Sequence, residues 1–339
     1  MLFRSEGIRV SEAKPRRSDL RYRIGLNLRA VKGRSYPRIV GANREPSWIF
    51  FEALLPLLGI AAYVFIYQFF GGQALAAITT KTAAAPWGMC GHDPCANAAA
   101  QSAAAAAVGA NTNALVASVV LGGTMVAFWL NVLWSMASQL YWEKEIGNLQ
   151  LYMMAPMNRM ALLGGMAVGG MVMTSMRAVS TLVAGVLVFG VVFQVASPLL
   201  LLAVFFATLI ALYGLGMMFA SLYLLWGREA WNLSALMEEP IFFSSGFYFP
   251  LGGLLKIPGW GPAIAIAGSF IPASLGLDAL RQLTLGSTAF GGNFWIFSVT
   301  TELGILVGMA VLFLILARYC LAYLETLAKR EGKLTSRHQ

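Results

Sequence analysis

Apolar residues in this chain gather into long runs separated by short polar breaks. A membrane-spanning helix needs about 20 mostly apolar residues, and six runs reach that length, roughly 48–70, 114–138, 162–195, 198–226, 233–252 and 294–317. The third is long enough to require tilt or an extension beyond the lipid. The run from Ala263 to Leu275 is too short to cross and is interrupted by Pro272, which predicts a re-entrant or interfacial piece. The pattern therefore predicts an all-α integral membrane fold with six transmembrane helices.

One segment breaks the apolar pattern in an ordered way. In Tyr141 to Arg159, Trp142, Ile146, Leu149 and Met153 are spaced four, three and four apart, the period of one helical face. Glu143, Lys144, Glu145 and Asn148 take the other side, and Pro156 stops the helix. The spacing predicts an amphipathic helix over 139–160, held at a membrane surface between two spans and able to pass a push from a soluble partner into the bilayer.

Composition agrees with the pattern. Of 339 residues 58% are hydrophobic and 12% charged, against about 25% charged in soluble domains. The net charge of +9 is concentrated, with twelve of the 24 Lys and Arg in the first 46 residues, so it marks a basic tail and not a nucleic-acid surface. Arg16, Arg17, Arg21, Arg23, Arg29, Lys32, Arg34 and Arg38 alternate with Leu20, Ile24, Leu26 and Leu28. This suits an amphipathic helix lying on anionic lipid, the alternative being a partly disordered basic arm. No cleavable signal peptide is expected after Met1, since no apolar core with a cleavage site follows. With both termini cytoplasmic, 20 basic residues fall inside, and Lys81, Lys256 and Arg281 outside, as the positive-inside rule requires. The expected layout is a basic tail at 1–46, a six-helix membrane domain at 47–320 with outer loops 71–113 and 253–293, and a cytoplasmic tail at 321–339.

Cys90 and Cys95 flank Gly91 and Pro94 in the first outer loop. They admit a small disulfide, unpaired thiols, or a metal site with His92 and Asp93, though structural zinc normally takes four ligands from two separated pairs. Cys320 reads as structural. Gly165 and Gly169 form a G-x-x-x-G, and Gly214 with Gly216 thins the fourth span, both read as helix packing.

Ionisable residues inside spans are costly and need partners; here they are Glu52, Arg177, Glu238, Glu239 and Glu302. Arg177 is expected to pair with Glu302 or Glu52. The chain lacks a phosphate-binding G-x-x-x-x-G-K-[ST], H-E-x-x-H and G-x-S-x-G, and His92 and His338 are its two histidines, so it is not expected to be an enzyme or to bind a metal.

Two stretches together resemble type-2 ABC exporter permeases. The first is E-K-E-I-G-N-L-Q-L-Y-M-M-A-P-M-N-R, Glu143 to Arg159, similar to the family's pattern after its second span, with Asn148 and Gln150 departing from the usual Thr and Glu. The second is F-S-S-G-F-Y-F-P-L-G-G-L-L-K-I-P-G-W from Phe243, then Ile271-Pro272 and D-A-L-R-Q-L-T-L-G from Asp278 to Gly286. It looks like the family's loop between spans five and six.

The resemblance implies a permease of the bacterial inner membrane. It implies a second permease subunit, two copies of an ABC ATPase that bind Mg-ATP, and no cofactor in this chain. It also implies ATPase coupling through Glu143, Glu145, Gly147, Pro156 and Arg159. A transport path along the dimer interface would use Phe128, Trp129, Asn131, Trp134, Phe242, Phe243, Phe247 and Tyr248, whose aromatics suit an amphipathic or lipid-like cargo such as a drug, lipid or glycan. The Pro- and Gly-rich outer loop, with Pro250, Pro258, Trp260, Pro272, Asp278 and Arg281, is read as an external gate. Competing readings are an ion-coupled secondary transporter switched by Arg177, Glu302 and Glu52, and a lipid-modifying membrane enzyme, for which no metal-binding acid cluster is present.

Overall fold

The computed structural model describes residues 20–43, 46–83, 94–155, 157–286, 289–292 and 295–330, and helix is the regular structure found among them. Helices α1 (Leu20–Asn43), α2 (Pro46–Ala83) and α3 (Pro94–Leu130) lead into a π-helical turn at Asn131–Met136, then α4 (Gln139–Ile146) and α5 (Asn148–Met154). Next come α6 (Arg159–Leu187), α7 (Pro198–Trp226), α8 (Ala230–Ser244), α9 (Gly261–Ser269), α10 (Pro272–Leu285) and α11 (Val299–Arg330).

The boundaries follow local chemistry. Asn158 caps α6 by accepting the Met160 N–H at 3.0 Å. Ser197 precedes Pro198 and accepts from Leu200 N at 3.5 Å, which opens α7 where a missing proline N–H costs nothing. Gly147, at φ 87°, is the left-handed stop that separates α4 from α5.

Among the described residues four helices are long and apolar enough to cross a membrane: Ser102–Ile146, Arg159–Leu187, Pro198–Tyr223 and Val299–Leu327. The α9–α10 pair, bent by 98°, makes five if counted as one span. The predicted span 48–70 lies within the 38-residue α2. The predicted span 233–252 is not one helix, because α8 stops at Ser244 after 15 residues and Gly246 then takes φ 67°. Much of the predicted outer loop 71–113 is helical, as α2 and α3 run on into it. The predicted tail from 321 is helical as far as Arg330, and Leu321, Leu324 and Glu325 are buried.

The core forms where α3, the π turn, α6, α7 and α10 meet, with Met125, Trp129, Leu133, Leu163, Met166 and Tyr213 packed inside it. Both small-residue motifs serve packing. A Cβ on Gly165 would lie 2.9 Å from the Val31 carbonyl oxygen, and one on Gly169 would lie 3.2 Å from Arg38 Cδ, so the basic α1 beds directly on α6. Gly214 faces α11 and Gly216 faces the π turn at Val132. In α1, Leu20, Ile24 and Leu28 are exposed, Ser35 is buried, and Arg34 and Arg38 turn inward.

Candidate functional site

The segment from α4 to the start of α6 is turned the opposite way from its sequence pattern. Glu143 and Lys144 are buried with Leu140 and Leu149, whereas Trp142 and Ile146 are exposed. Trp142 and Ile146 do share one face of α4, but that face is the outer one; the left-handed turn at Gly147 then ends α4 and begins α5, so Leu149 does not continue that face.

Glu143 is held from two sides, by an ion pair with Arg34 of α1 and by the Asn148 side-chain N–H at 3.1 Å. Arg34 also donates to the Tyr152 hydroxyl at 3.4 Å and lies over its ring, 5.8 Å from the centroid. Arg159 pairs with Glu325 of α11 at 2.6 Å. Of the predicted coupling residues, Glu143 and Arg159 therefore tie this segment to α1 and α11, Glu145 is half-buried, Gly147 is the turn, and Pro156 lies outside the described residues. The exposed side chains include the apolar Ile146 (66% exposed), Leu151 and Met154 (75%), and Trp142, which packs against Tyr141 and Trp231.

At the other predicted site, the outer loop holds a buried charge cluster. All of Pro272 to Thr284 in α10 is buried, so Pro272, Asp278 and Arg281 are interior residues and not parts of an exposed gate. Arg281 does not count as an outside charge. Its guanidinium donates to the carbonyl oxygens of Gly246 (2.7 Å), Phe247 (2.7 Å) and Phe249 (3.0 Å), and through Nη2 (2.9 Å) and Nε (3.3 Å) to that of Ser118 in α3. Gly122 makes this possible, because a Cβ there would fall 1.6 Å from the Phe247 oxygen. The same loop is held by Tyr67, whose hydroxyl donates to the Tyr248 carbonyl at 3.0 Å, and by stacking of Tyr63 on Tyr248. Of the remaining predicted gate residues, Pro250 is buried, Pro258 is exposed and Trp260 is 82% exposed.

Asp278 and Glu302 are both buried and lie close together. Asp278 Oδ2 accepts the Ile296 N–H at 3.1 Å and Glu302 Oε2 accepts from Gln282 at 3.2 Å. Asp278 Oδ1 and Glu302 Oε1 find no donor among the described residues. Two acids this close and away from water disfavour the doubly ionised state. Glu302 is thus the partner of Asp278 and not of Arg177; the Glu52 side chain is outside the described set. Sequence reasoning missed this pair because Asp278 was assigned to an outer loop.

The predicted path residues divide. Phe128, Trp129, Asn131 and Phe247 are buried, with Phe128 packed edge-on against Phe205. Phe242 and Tyr248 are half-buried, and Trp134 and Phe243 are exposed. The Trp134 indole N–H donates to Glu238 of α8 at 2.8 Å. Cys90 and the Cys95 side chain lie outside the described residues; Cys320 is a free thiol.

Beside Trp134 lies a cavity of about 420 Å³, walled by α1, the π turn and α6. Arg38 and Arg177 line it together with Asn131, Ser135 and Thr174. Arg38 donates to the Ser135 hydroxyl, and Asn131 Oδ1 accepts from the Tyr213 hydroxyl at 3.0 Å. Arg38 is largely desolvated, which lowers its proton affinity from the ordinary value, and the neighbouring Arg34 lowers it further.

The fold and these sites define an all-helical protein with several helices fit to cross a membrane. No protein-family model and no curated protein matches the chain.

Proposed function

We propose that the chain is the membrane subunit of an ATP-driven exporter of an amphipathic or lipid-like cargo, working as a dimer of permeases on two ABC ATPase subunits that bind Mg-ATP. The observation that carries this reading is the apolar surface formed by Ile146, Leu151 and Met154 on a segment braced by Arg34–Glu143 and Arg159–Glu325. Exposed apolar side chains on an otherwise pinned, polar segment call for a partner surface. A push there would be carried straight into α1 and α11 through the two ion pairs. In this reading the ATPase contacts are those apolar residues, and Glu143 and Arg159 transmit the motion.

The topology we infer has six crossings of the bacterial inner membrane, by α2, α3 with the π turn, α6, α7, α8 and α11. The sharply bent α9–α10 pair dips in from outside and returns, and both termini are cytoplasmic. ATP binding would close the ATPases and convert an inward-open path between the permeases to an outward-open one. Co-expression with ATPases of the same genome tests this. Wild type is expected to co-purify with one of them and to support ATP turnover in nanodiscs; the Ile146→Asp, Met154→Asp double variant is expected to insert normally but lose the complex. An unchanged complex in the double variant removes these residues from the contact, and no ATPase partner at all removes the reading.

The Asp278–Glu302 pair favours a second reading, ion-coupled transport, because a shared buried proton is what a proton-linked carrier needs. Transport that survives ATP depletion and collapses with the proton gradient would select it.

A further inference from the structure

Where the end of α10 meets α3 there is a cavity of about 290 Å³. Asn111 and Asn113 of α3 border it, with Gln194 from the connector after α6 and Phe290 from the short turn Ala289–Gly292. Ala114 and Thr284, both buried, form its floor, and Asn111 and Gln194 are exposed at its rim. Its walls are pinned by backbone. The Gln194 and Ala196 N–H groups donate to the Thr284 and Leu283 carbonyls at 2.8 and 3.0 Å, and the Ala289 N–H donates to Gly286 at 3.1 Å. Phe290 has φ 58°, the one positive value at a non-glycine position among the described residues. A residue with a Cβ is held so only where its surroundings over-determine it, and such residues gather at ligand clamps. Its ring meets Trp295 edge-on, with centroids 6.0 Å apart.

No charged residue is among the described lining residues. A phosphate or carboxylate finds no cation here and an ammonium finds no acid, so the ligand that fits is neutral. What the walls offer is amide chemistry, N–H donors beside a carbonyl acceptor on each of three side chains. No hydrogen bond among the described residues engages the side chains of Asn111, Asn113 or Gln194. Thr284 commits its hydroxyl hydrogen to the Leu280 carbonyl at 2.7 Å, so towards a ligand it can only accept. Donors and acceptors side by side match neighbouring hydroxyls, each of which both gives and takes a hydrogen bond. An aromatic wall suits the C–H face that a pyranose ring presents between its polar edges. The volume is at the small end for ligand sites, about 300–1,000 Å³, and suits one ring and not a chain of them.

We infer that this cavity binds a single neutral sugar ring, either a free monosaccharide or the headgroup of a glycolipid. Asn113, Gln194 and Thr284 contact its hydroxyls, Asn111 closes the rim, and Phe290 lies against its C–H face. None of the residues proposed for coupling or for the transport path borders the cavity, so the inference stands whether or not the chain is an exporter subunit.

The test uses the full-length protein in phosphatidylcholine nanodiscs, because many detergents carry sugar headgroups. Methyl β-glucoside and methyl β-galactoside are titrated by saturation-transfer NMR, with cyclohexanol as a ring short of hydroxyls and empty nanodiscs as the blank. Wild type is expected to bind at least one glycoside and not cyclohexanol. A parallel series compares Tm in nanodiscs containing glucosyl diacylglycerol with Tm in nanodiscs containing diacylglycerol. Binding of a free glycoside shows that the ring suffices; a Tm rise with the glycolipid alone assigns the site to an anchored headgroup. The Asn113→Ala, Gln194→Ala double variant is expected to weaken the responding probe at least about tenfold. Phe290→Asn places a residue that tolerates left-handed φ, and is expected to keep a Tm near wild type while weakening binding at least about tenfold. No response to any sugar probe overturns the inference, as does equal binding of cyclohexanol or wild-type affinity in the double variant or in Phe290→Asn.

Discussion

At the α4–α5 segment Arg34 meets Glu143 and Arg159 meets Glu325, cation against anion with at least one partner reaching solvent. Around Arg281 the arrangement is different: the cation is buried and is answered by carbonyl oxygens of two separate segments, while two acids, Asp278 and Glu302, are buried close together beside it. The first kind of contact can be broken and remade at modest cost. The second fixes backbone, since moving Arg281 would strand the carbonyls of Gly246, Phe247 and Phe249 and free the loop from Ser118 of α3. The end of the molecule that resembles a gate is thus its more firmly bound region, and the end that resembles a coupling element is held by exchangeable ion pairs.

The severest way to break this comparison is Arg281→Met. Loss of the donors to four buried carbonyls is expected to cost at least about 3–5 kcal/mol, enough to prevent a monodisperse peak in size-exclusion chromatography. Arg281→Lys is expected to fail as well, because one ammonium cannot span both segments. Either variant purifying with wild-type Tm would show that the clamp is dispensable. Gly122→Ala pushes a methyl into the Phe247 carbonyl, and a cost of about 1–3 kcal/mol is expected in thermal denaturation.

At the other region Arg34→Glu and Glu143→Arg are each expected to lower stability by about 1.5 kcal/mol, and the double reversal to recover at least half of that. Additive losses would mean that the two side chains act separately. A smaller change is expected for Glu302→Gln, about 0.5–1 kcal/mol, because its amide N–H can stand in for the shared proton towards Asp278. A large loss there would mean that the pair is not proton-linked. Ile146→Asp with Met154→Asp is expected to leave unfolding stability within about 0.5 kcal/mol of wild type, since both side chains are on the surface.

Helix positions were largely legible in the chain because apolar runs and their punctuation are local: Ser197-Pro198 opens a helix by itself. What sequence could not show was which way a short element faces. The 142–153 pattern named plausible helix-forming residues, but the left-handed Gly147 divided the expected single helix, and Trp142 and Ile146 share the outer face of α4 while Glu143 packs inward. Pro272 and the polar residues of α10 read as loop, because their burial depends on carbonyls contributed by residues about 35 and 163 positions away. The G-x-x-x-G at Gly165 was readable as a packing motif, yet its partner was not, since a basic helix by composition belongs on a lipid surface.

The π turn at Asn131–Met136 has a mechanical meaning. It sits within the 45-residue rod Ser102–Ile146, between Ser102 at one end and the exposed Ile146 at the other. A π turn accommodates one residue more than the α-helix around it. Taking that residue up into α geometry would rotate everything downstream by about 100°, one residue of a helix with 3.6 per turn. The rod therefore stores a single click of rotation, and Asn131 and Ser135, within the click, form part of the wall of the arginine-lined cavity.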